Sequence, residues 1–340
     1  MKELLELQKK LVPDLLKVME ARYAILQCID IFQPIGRRGI AENTGLTERN
    51  ARGEIEFLGS QGFLQLTSKG MYLTKEGKIM RDQLAFYRSE WTGLDVLEAQ
   101  IKEKLKVNHV IIVPGNSDEQ ETVKQEMGKA CVARLKKAAQ PGSTIAVTGG
   151  TTMAAVAEVM TPLGGEDDYL FVPARGGIGE KVENQSNTIA AKMAERAGSS
   201  YRLLYAPDPL SETAYQSIIN EPSIKEMIHV IKEADVVVHG IGDALTMAER
   251  RKTSKAVMSK LKEDQAVSEA FGYYFNASGE VVHKVRTVGL HLEDLKAANQ
   301  VITVAGGNSK GQAIASYFQQ AKGDLLITDE AAAEEILKGM

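Results

Sequence analysis

Seven short runs of β-branched and aliphatic residues, each set between helix-length segments, constrain the fold of this chain more than any other feature. They fall at residues 109–113 (HVIIV), 144–149 (TIAVTG), 169–173 (YLFVP), 201–206 (YRLLYA), 235–240 (DVVVHG), 301–306 (VITVAG) and 324–329 (DLLITD). Near-continuous apolar runs of this length are strands buried on both faces, and alternation with helices puts them side by side in a doubly wound, mostly parallel sheet, an α/β architecture. Residues 271–275 and 280–285, joined by Asn276-Ala277-Ser278-Gly279, read as a β-hairpin inserted into that sheet. With 340 residues the chain is long enough for about two domains at roughly 150 residues each.

The first 90 residues have another pattern. Pro13 and Asp14 suit the first turn of a helix, and Leu15, Leu16, Met19, Tyr23 and Leu26 continue it to about Ile31. A short helix from Arg37 to Asn43, a Gly45-containing turn and a helix of Glu48 to Ser60 with Thr47 as N-cap form a helix-turn-helix. Residues 62–66 and 71–74 around Ser68-Lys69-Gly70 add a two-stranded wing. The expected domains are therefore a winged helix-turn-helix at 1–88, a linker helix at 89–107 and an effector-binding and oligomerisation domain at 108–340. In the linker, Leu94, Leu97, Ile101 and Leu105 form an apolar seam, either an interdomain helix or a support for subunit association.

Charge alone does not decide what the helix-turn-helix does. The net charge is −4, and residues 1–90 carry 14 basic against 12 acidic side chains. Placement is more informative. Arg49, Asn50 and Arg52 fall in the first turns of the second helix, where a recognition helix reaches base edges and phosphates; Arg37 and Arg38 open the preceding helix and Lys69 tips the wing. Against this, Glu42, Glu48, Glu54 and Glu56 match the four arginines, as on an ordinary solvated helix pair. Two cysteines without CxxC spacing suggest neither a disulfide framework nor a metal site, and no long uncharged apolar run is present, so a cytoplasmic protein is expected.

The strand ends of the larger region carry the remaining chemistry. Gly149-Gly150-Thr151-Thr152 follows a strand and opens a helix, an arrangement whose free N–H groups and hydroxyls cradle an anion; a tight turn that needs glycine is the plainer reading. Arg175 follows the next strand, Lys310 sits in a second Gly-rich turn (Gly306-Gly307-Asn308-Ser309-Lys310), and Glu249-Arg250-Arg251-Lys252 adds positive charge. Together they suit a small, doubly charged anion such as a sugar bisphosphate. Gly177-Ile178-Gly179 and Gly240-Ile241-Gly242 lack the third small residue of a dinucleotide fingerprint, and Asp243 stands where a pyrophosphate would approach, so NAD is not expected; no P-loop is present.

The motifs GGTT, VPARGGIGE, NQSNTIAAKMAE, VVHGIGDA, EAFGYYFNASGEVVHKV and VAGGNSKGQAIASYF, behind IGRRGIAENTGLTERNARGEIEFL, resemble SorC-type repressors of the central glycolytic genes regulator family over essentially the whole chain. The resemblance implies an effector domain similar to sugar-phosphate isomerases and deaminases that binds fructose 1,6-bisphosphate, and repression of an operon for lower-glycolytic enzymes. It implies effector contacts at Gly149, Gly150, Thr151, Thr152, Arg175, Gln185, Glu269 and Lys310, with Arg250 nearby. Arg175 is the natural choice for the second phosphate, and Gln185 and Glu269 can bond sugar hydroxyls. A homotetramer, a dimer of dimers on operator DNA loosened by ligand, is also implied. Two rivals remain: a sugar-phosphate isomerase or deaminase using His239, Glu269 or Asp243 as acid or base, and a DNA-binding protein whose larger domain only oligomerises.

Overall fold

The structure, a computed structural model, describes residues 7, 11–92, 94–163, 169–177, 181–208, 210–321 and 323–339. Ile178, Gly179 and Glu180 of one GxG stretch therefore lie outside the described residues. The chain divides into two units, residues 1–96 with 120–122, and residues 97–119 with 123–340.

In the first unit, helices Pro13–Phe32, Arg37–Thr44 and Glu48–Ser60 precede strands β1 (Leu64–Thr67) and β2 (Gly70–Leu73), which pair antiparallel, and helix Lys75–Thr92 follows. This is a winged helix-turn-helix. Gly45, with φ +70°, makes the left-handed turn between the two short helices. Thr47 caps the next helix, its hydroxyl accepting from the Asn50 N–H at 3.2 Å. Ile25, Leu26, Ile29, Ile40, Ile55, Leu58 and Met71 form one buried cluster, with Leu46 half-buried at its margin.

In the second unit, β3 (His109–Val113), β4 (Thr144–Val147), β5 (Leu170–Pro173), β6 (Ser200–Tyr201) and β7 (Val236–His239) are followed by short β8 (Gly242–Asp243), then β9 (Ala266–Ala270), β10 (Tyr273–Asn276), β11 (Val281–Lys284), β12 (Gln300–Val304) and β13 (Leu325–Asp329). Seven of them form one sheet in the order β3-β13-β12-β7-β4-β5-β6, every pair parallel. These are the seven runs read from the sequence. The chain winds outward from β4 through β5 to β6, then returns to β7 on the other side of β4 and winds outward to β13. Winding therefore reverses between β4 and β7, and ligands of such sheets bind beyond the carboxyl ends of the strands at that point.

Two expectations need correction. The run at 201–206 is a strand only at Tyr201, because Asn187 takes over from a neighbouring strand: its Nδ2 donates to the Leu204 carbonyl at 3.0 Å and its Oδ1 accepts from the Leu204 N–H at 3.1 Å. The hairpin of β10 and β11 is not inserted into the parallel sheet but belongs to a separate antiparallel sheet, β11-β10-β9-β8. Its inner strand β9, AVSEA, escapes sequence reading because it buries Ser268 and Glu269, a pattern that does not look like a core strand. In the apolar seam of helix Leu94–Leu105, Leu94, Ile101 and Leu105 are buried within the single chain and Leu97 is half-buried. Glu98 Oε1 accepts from the Ile112 N–H at 2.9 Å, and Lys104 Nζ donates to the Leu337 carbonyl at 3.2 Å.

His239, at the end of β7, is fully buried. Its Nδ1 donates to the Gly240 carbonyl at 3.0 Å, while Nε2 lies 2.9 Å from the Thr303 hydroxyl and 3.2 Å from the Tyr317 hydroxyl as an acceptor. Burial drives its pKa down to about 4, so the ring is neutral. A depressed histidine pKa means the unfolded state binds the proton first, so this contribution is complete above pH 6.5 and is lost as pH falls toward 4. We expect the second unit to lose about 2 kcal/mol of stability through this group between pH 7.5 and 5. Urea denaturation of wild type and His239→Gln at both pH values checks it, and equal losses in the two proteins would refute it.

Candidate functional site

Beyond the carboxyl ends of β4, β5, β7, β9 and β12, the second unit holds an open cleft of about 300 Å3. Every residue of the expected effector set lines it: Gly149, Gly150, Thr151, Thr152, Arg175, Gln185, Arg250, Glu269 and Lys310. So do Asp118 and Lys124, which sequence reading did not single out because nothing near them forms a motif.

At the end of β4, Gly150 has φ +115° and precedes helix Thr151–Glu158 without any side-chain cap. A side chain at Gly149 would meet the Asn184 carbonyl at 2.6 Å, so only glycine lets the two segments approach. The Gly150 N–H already donates to that carbonyl at 2.8 Å and is not available to a ligand. The first intrahelical bond runs from Ala154 to Gly150, which leaves the N–H groups of Thr151, Thr152 and Met153 without a protein acceptor among the described residues. All three residues line the cleft. The open N–H groups are therefore those of residues 151–153, beginning two residues after the start of the expected GGTT, and the helix dipole points its positive end there.

The second Gly-rich loop, after β12, differs despite its similar sequence. Its N–H groups are taken by the protein's own oxygens: Gly307 donates to Asp329 Oδ2 at 2.7 Å, Asn308 to Asn116 Oδ1 at 3.3 Å and Ser309 to Asp118 Oδ2 at 2.8 Å. This loop offers the cleft an ammonium rather than a backbone nest. Half-buried Lys310 has its pKa pushed down by burial and by Lys124 and Arg250, with Asp118 and Asp329 opposing. An anion arriving beside it would relieve that depression.

Arg175 and Glu269 are not the free groups that the sequence suggested. Arg175 is 5% exposed; its Nε and Nη2 donate to Asp208 Oδ2 at 3.1 and 2.6 Å, and its Nη1 to Glu269 Oε1 at 3.3 Å. The same Oε1 accepts from Arg251 Nη2 at 2.7 Å and the Gly272 N–H at 2.7 Å. Although burial alone would raise the Glu269 pKa, Arg251 and Arg175 hold it below the ordinary carboxylate value. The run Glu249-Arg250-Arg251-Lys252 thus splits: Arg250 is exposed and lines the cleft, whereas Arg251 is buried, with Nη1 donating to the Tyr274 hydroxyl at 2.8 Å. Asp208, flanked by prolines, gave no sequence signal beyond a turn.

None of the three groups nominated as acid or base is poised for proton transfer. His239 lies outside the residues lining the cleft, Glu269 is paired to two arginines, and Asp243 Oδ1 caps helix Ala244–Arg250 by accepting from the Thr246 N–H at 2.8 Å. That cap also explains an aspartate in the Gly240-Ile241-Gly242 turn.

In the first unit Arg37, Arg38, Thr47, Arg49, Asn50, Arg52 and Lys69 are all exposed. Arg52 pairs with Glu56 at 2.9 Å and Arg38 with Glu48 at 3.6 Å, both in solvent, where water and salt screen such pairs and a phosphate can replace the carboxylate. Among the described residues Arg37 and Arg49 form no ion pair. On the same helix, Phe57 is covered by the Arg22 guanidinium, 3.6 Å from the ring centre, and Arg22 Nε pairs with Glu54 at 2.6 Å.

Removing Arg175 would strand Asp208 as a buried charge and leave Glu269 to Arg251 and the Gly272 N–H, at a cost of about 3–5 kcal/mol. Arg175→Ala is expected to lose that much in urea denaturation while Arg250→Ala stays within about 0.5 kcal/mol of wild type. A loss below about 1 kcal/mol for Arg175→Ala would show that the network relaxes without it.

Comparison with known proteins agrees with this division. Residues 18–87 match the family described as "CggR N-terminal DNA binding domain", and residues 89–338 match the family described as "Putative sugar-binding domain". The chain is 55% identical over 339 residues to the central glycolytic genes regulator of Priestia megaterium (strain DSM 319 / IMG 1521) and 50% identical over 338 residues to that of Bacillus subtilis (strain 168), covering 99% of each chain in both cases. Among solved structures, the SorC family transcriptional regulator described from Enterococcus faecalis matches with a TM-score of 0.68 at 46% identity, over 71% of this chain and 99% of that one. The full-length sorbitol operon regulator SorC from Klebsiella pneumoniae shares the fold at TM-score 0.69 and 17% identity, over 90% of this chain and 94% of that one. Relatives this similar are named transcriptional regulators, not enzymes. An N-terminal DNA-binding domain joined to a sugar-binding α/β domain, with such identity end to end, establishes that the chain belongs to the central glycolytic genes regulator family of SorC-type transcriptional regulators.

Proposed function

We propose that the chain is a cytoplasmic repressor of genes for glycolytic enzymes, with operator binding weakened by fructose 1,6-bisphosphate in the cleft of the second unit. The names of the relatives support the target genes. The observation that carries the ligand is the cradle of unclaimed N–H groups at residues 151–153, opening on the same cleft as Lys310, Lys124 and Arg250. Two cationic features in one cleft suit a ligand with two phosphates. Gly149, Gly150, Thr151 and Thr152 shape and line the first; Lys310 and Arg250 belong to the second; Gln185 and Glu269 face the sugar. Arg175, already paired to Asp208, no longer serves as the second phosphate's counter-charge.

Operator DNA is read by the domain at 1–88 through Arg37, Arg38, Thr47, Arg49, Asn50, Arg52 and Lys69, the helix at 89–107 connects, and 108–340 binds effector and assembles. Thr47 acts chiefly by fixing the helix start. The assembly is a homotetramer, a dimer of dimers on DNA, formed through surfaces other than the buried seam around Ile101.

The test uses a duplex selected by the full-length protein from a random pool. Fluorescence anisotropy should show affinity for it falling with fructose 1,6-bisphosphate and not with fructose 6-phosphate or NAD. Arg49→Ala should weaken DNA binding by about 1–3 kcal/mol, and Lys310→Ala should weaken the bisphosphate by about tenfold or more. Relief by the monophosphate would reassign the effector, and thermal stability indifferent to every compound would leave a purely oligomerising domain.

A further inference from the structure

Asp208, Arg175, Glu269 and Arg251 form a buried row in which charges alternate: Asp208 holds Arg175, Arg175 and Arg251 both hold Glu269, and Arg251 ends on the Tyr274 hydroxyl. Two members line the cleft, Arg175 and Glu269; Asp208 and Arg251 do not. We infer that Asp208 and Arg251 are positioning residues that hold Arg175 and Glu269 as a charge-neutral donor–acceptor pair, so that this wall of the cleft receives the uncharged, hydroxyl-bearing part of the ligand. The inference rests on the reading of the cleft as a sugar-phosphate site.

Stability is a poor reason for the row. Buried ion pairs are often no better than apolar residues of the same volume. This one also leaves Asp208 Oδ1 and Arg251 Nε buried without a hydrogen-bond partner among the described residues, a cost that an apolar replacement would not carry. What the row does is fix two edges at the cleft. A guanidinium has five N–H donors. Asp208 takes the Nε donor and one on Nη2, and Glu269 takes one on Nη1, so each terminal nitrogen of Arg175 keeps a donor.

On Glu269 all three described donors meet Oε1 and none takes Oε2, on a residue that lines the cleft. A donor beside an acceptor matches a hydroxyl, which is both. A phosphate placed there would face the Glu269 charge, whereas at residues 151–153 it meets only N–H groups and hydroxyls. The division of the cleft into a neutral wall and cationic ends therefore follows from the two residues behind it.

The groups facing Glu269 are Arg175 beyond β5, Arg251 after helix Ala244–Arg250, Tyr274 opposite it on β10 and uncharged Gly242 opposite it on β8, with Asp208 behind Arg175. Removal of Arg251 takes away the nearest counter-charge and lets Glu269 titrate at higher pH. Calorimetric titration of the full-length chain with fructose 1,6-bisphosphate from pH 8 to pH 5 reads this. Arg251→Met should lose affinity toward pH 5 about tenfold more steeply than wild type, and Arg251→Met with Glu269→Gln should lose that extra slope. A merely structural Arg251 would weaken binding by the same factor at every pH, and that result overturns the inference.

Asp208→Asn provides the reading if Arg251→Met does not fold. It leaves the wall one charge more positive, so preference for fructose 1,6-bisphosphate over inorganic phosphate should drop about tenfold; an unchanged ratio overturns the positioning role of Asp208. Wild type that binds no sugar bisphosphate at all would instead bring down the reading of the cleft, and the inference with it.

Discussion

The carboxylate of Glu269, held by Arg175, Arg251 and the Gly272 N–H, is the interaction on which the larger unit depends. Arg175 follows β5 of the parallel sheet, Glu269 lies on β9 of the antiparallel sheet, and Arg251 follows the helix that leaves β8. One oxygen therefore ties the loop after β5 of the parallel sheet to strand β9 and to the end of the helix after β8, and the cleft lies in front of it. Hydrophobic packing cannot do this alone. The apolar core under the parallel sheet, from Val113 through Phe171 to Ile327, fixes the strands, but it does not orient polar groups beyond their ends. A charged network has few acceptable geometries, and breaking it strands a buried charge, so it specifies position where packing only supplies cohesion.

Carboxylates do the opposite job at the other Gly-rich turn. Asp329 is fully buried at the end of β13 and accepts from the Ser117 and Gly307 N–H groups through Oδ2 and from Ala332 through Oδ1. An aspartate that satisfies three backbone donors behaves as an internal anion, and with Asp118 it closes the nest that glycine opened. The two strand-to-helix turns thus begin with the same backbone requirement and end with opposite chemistry. After β4 the donors are left open to the cleft; after β12 they are filled and only Lys310 remains for a ligand.

What could be read from the sequence follows from the range of the interactions involved. The seven parallel strands, the Gly45 turn and the Thr47 cap are written within a few residues each, as apolar runs, a left-handed glycine and a hydroxyl three residues before its N–H. The resemblance brought distant residues onto one site, and the cleft lines up all of them. Partnerships were not legible. Arg175 and Asp208 lie 33 residues apart, and Arg175 and Glu269 lie 94 apart, so sequence reading assigned Arg175 to a ligand phosphate without the two carboxylates that three of its five donors already meet within the chain. For the same reason the charge run at 249–252 looked uniform, although Arg250 faces the cleft and Arg251 is buried behind it. β9 was missed because a buried glutamate, paid for by two distant arginines, erases the alternation by which strands are recognised. The seam at Leu94 to Leu105 shows the converse: apolar spacing announces burial, but not whether the partner is another subunit or the same chain.

The proposed DNA surface and the cleft lie in different units and share no residue. On the proposed reading, a ligand in the cleft can weaken DNA binding only if it binds differently to the arrangements of the protein with and without DNA, since equal affinity for both would shift nothing. Linkage makes this reciprocal: whatever factor the ligand takes from DNA affinity, DNA takes from ligand affinity. Such coupling needs an element with discrete alternatives, and continuous deformation of a close-packed core is a poor one. A row of alternating charges between two sheets is better suited, because each ion has one paired geometry and no inexpensive intermediate. Ligand hydroxyls engaging Arg175 and Glu269 would act on the group that ties the parallel sheet to the antiparallel one, and on that reading a local change in hydrogen bonding would become a change in the relation of larger elements.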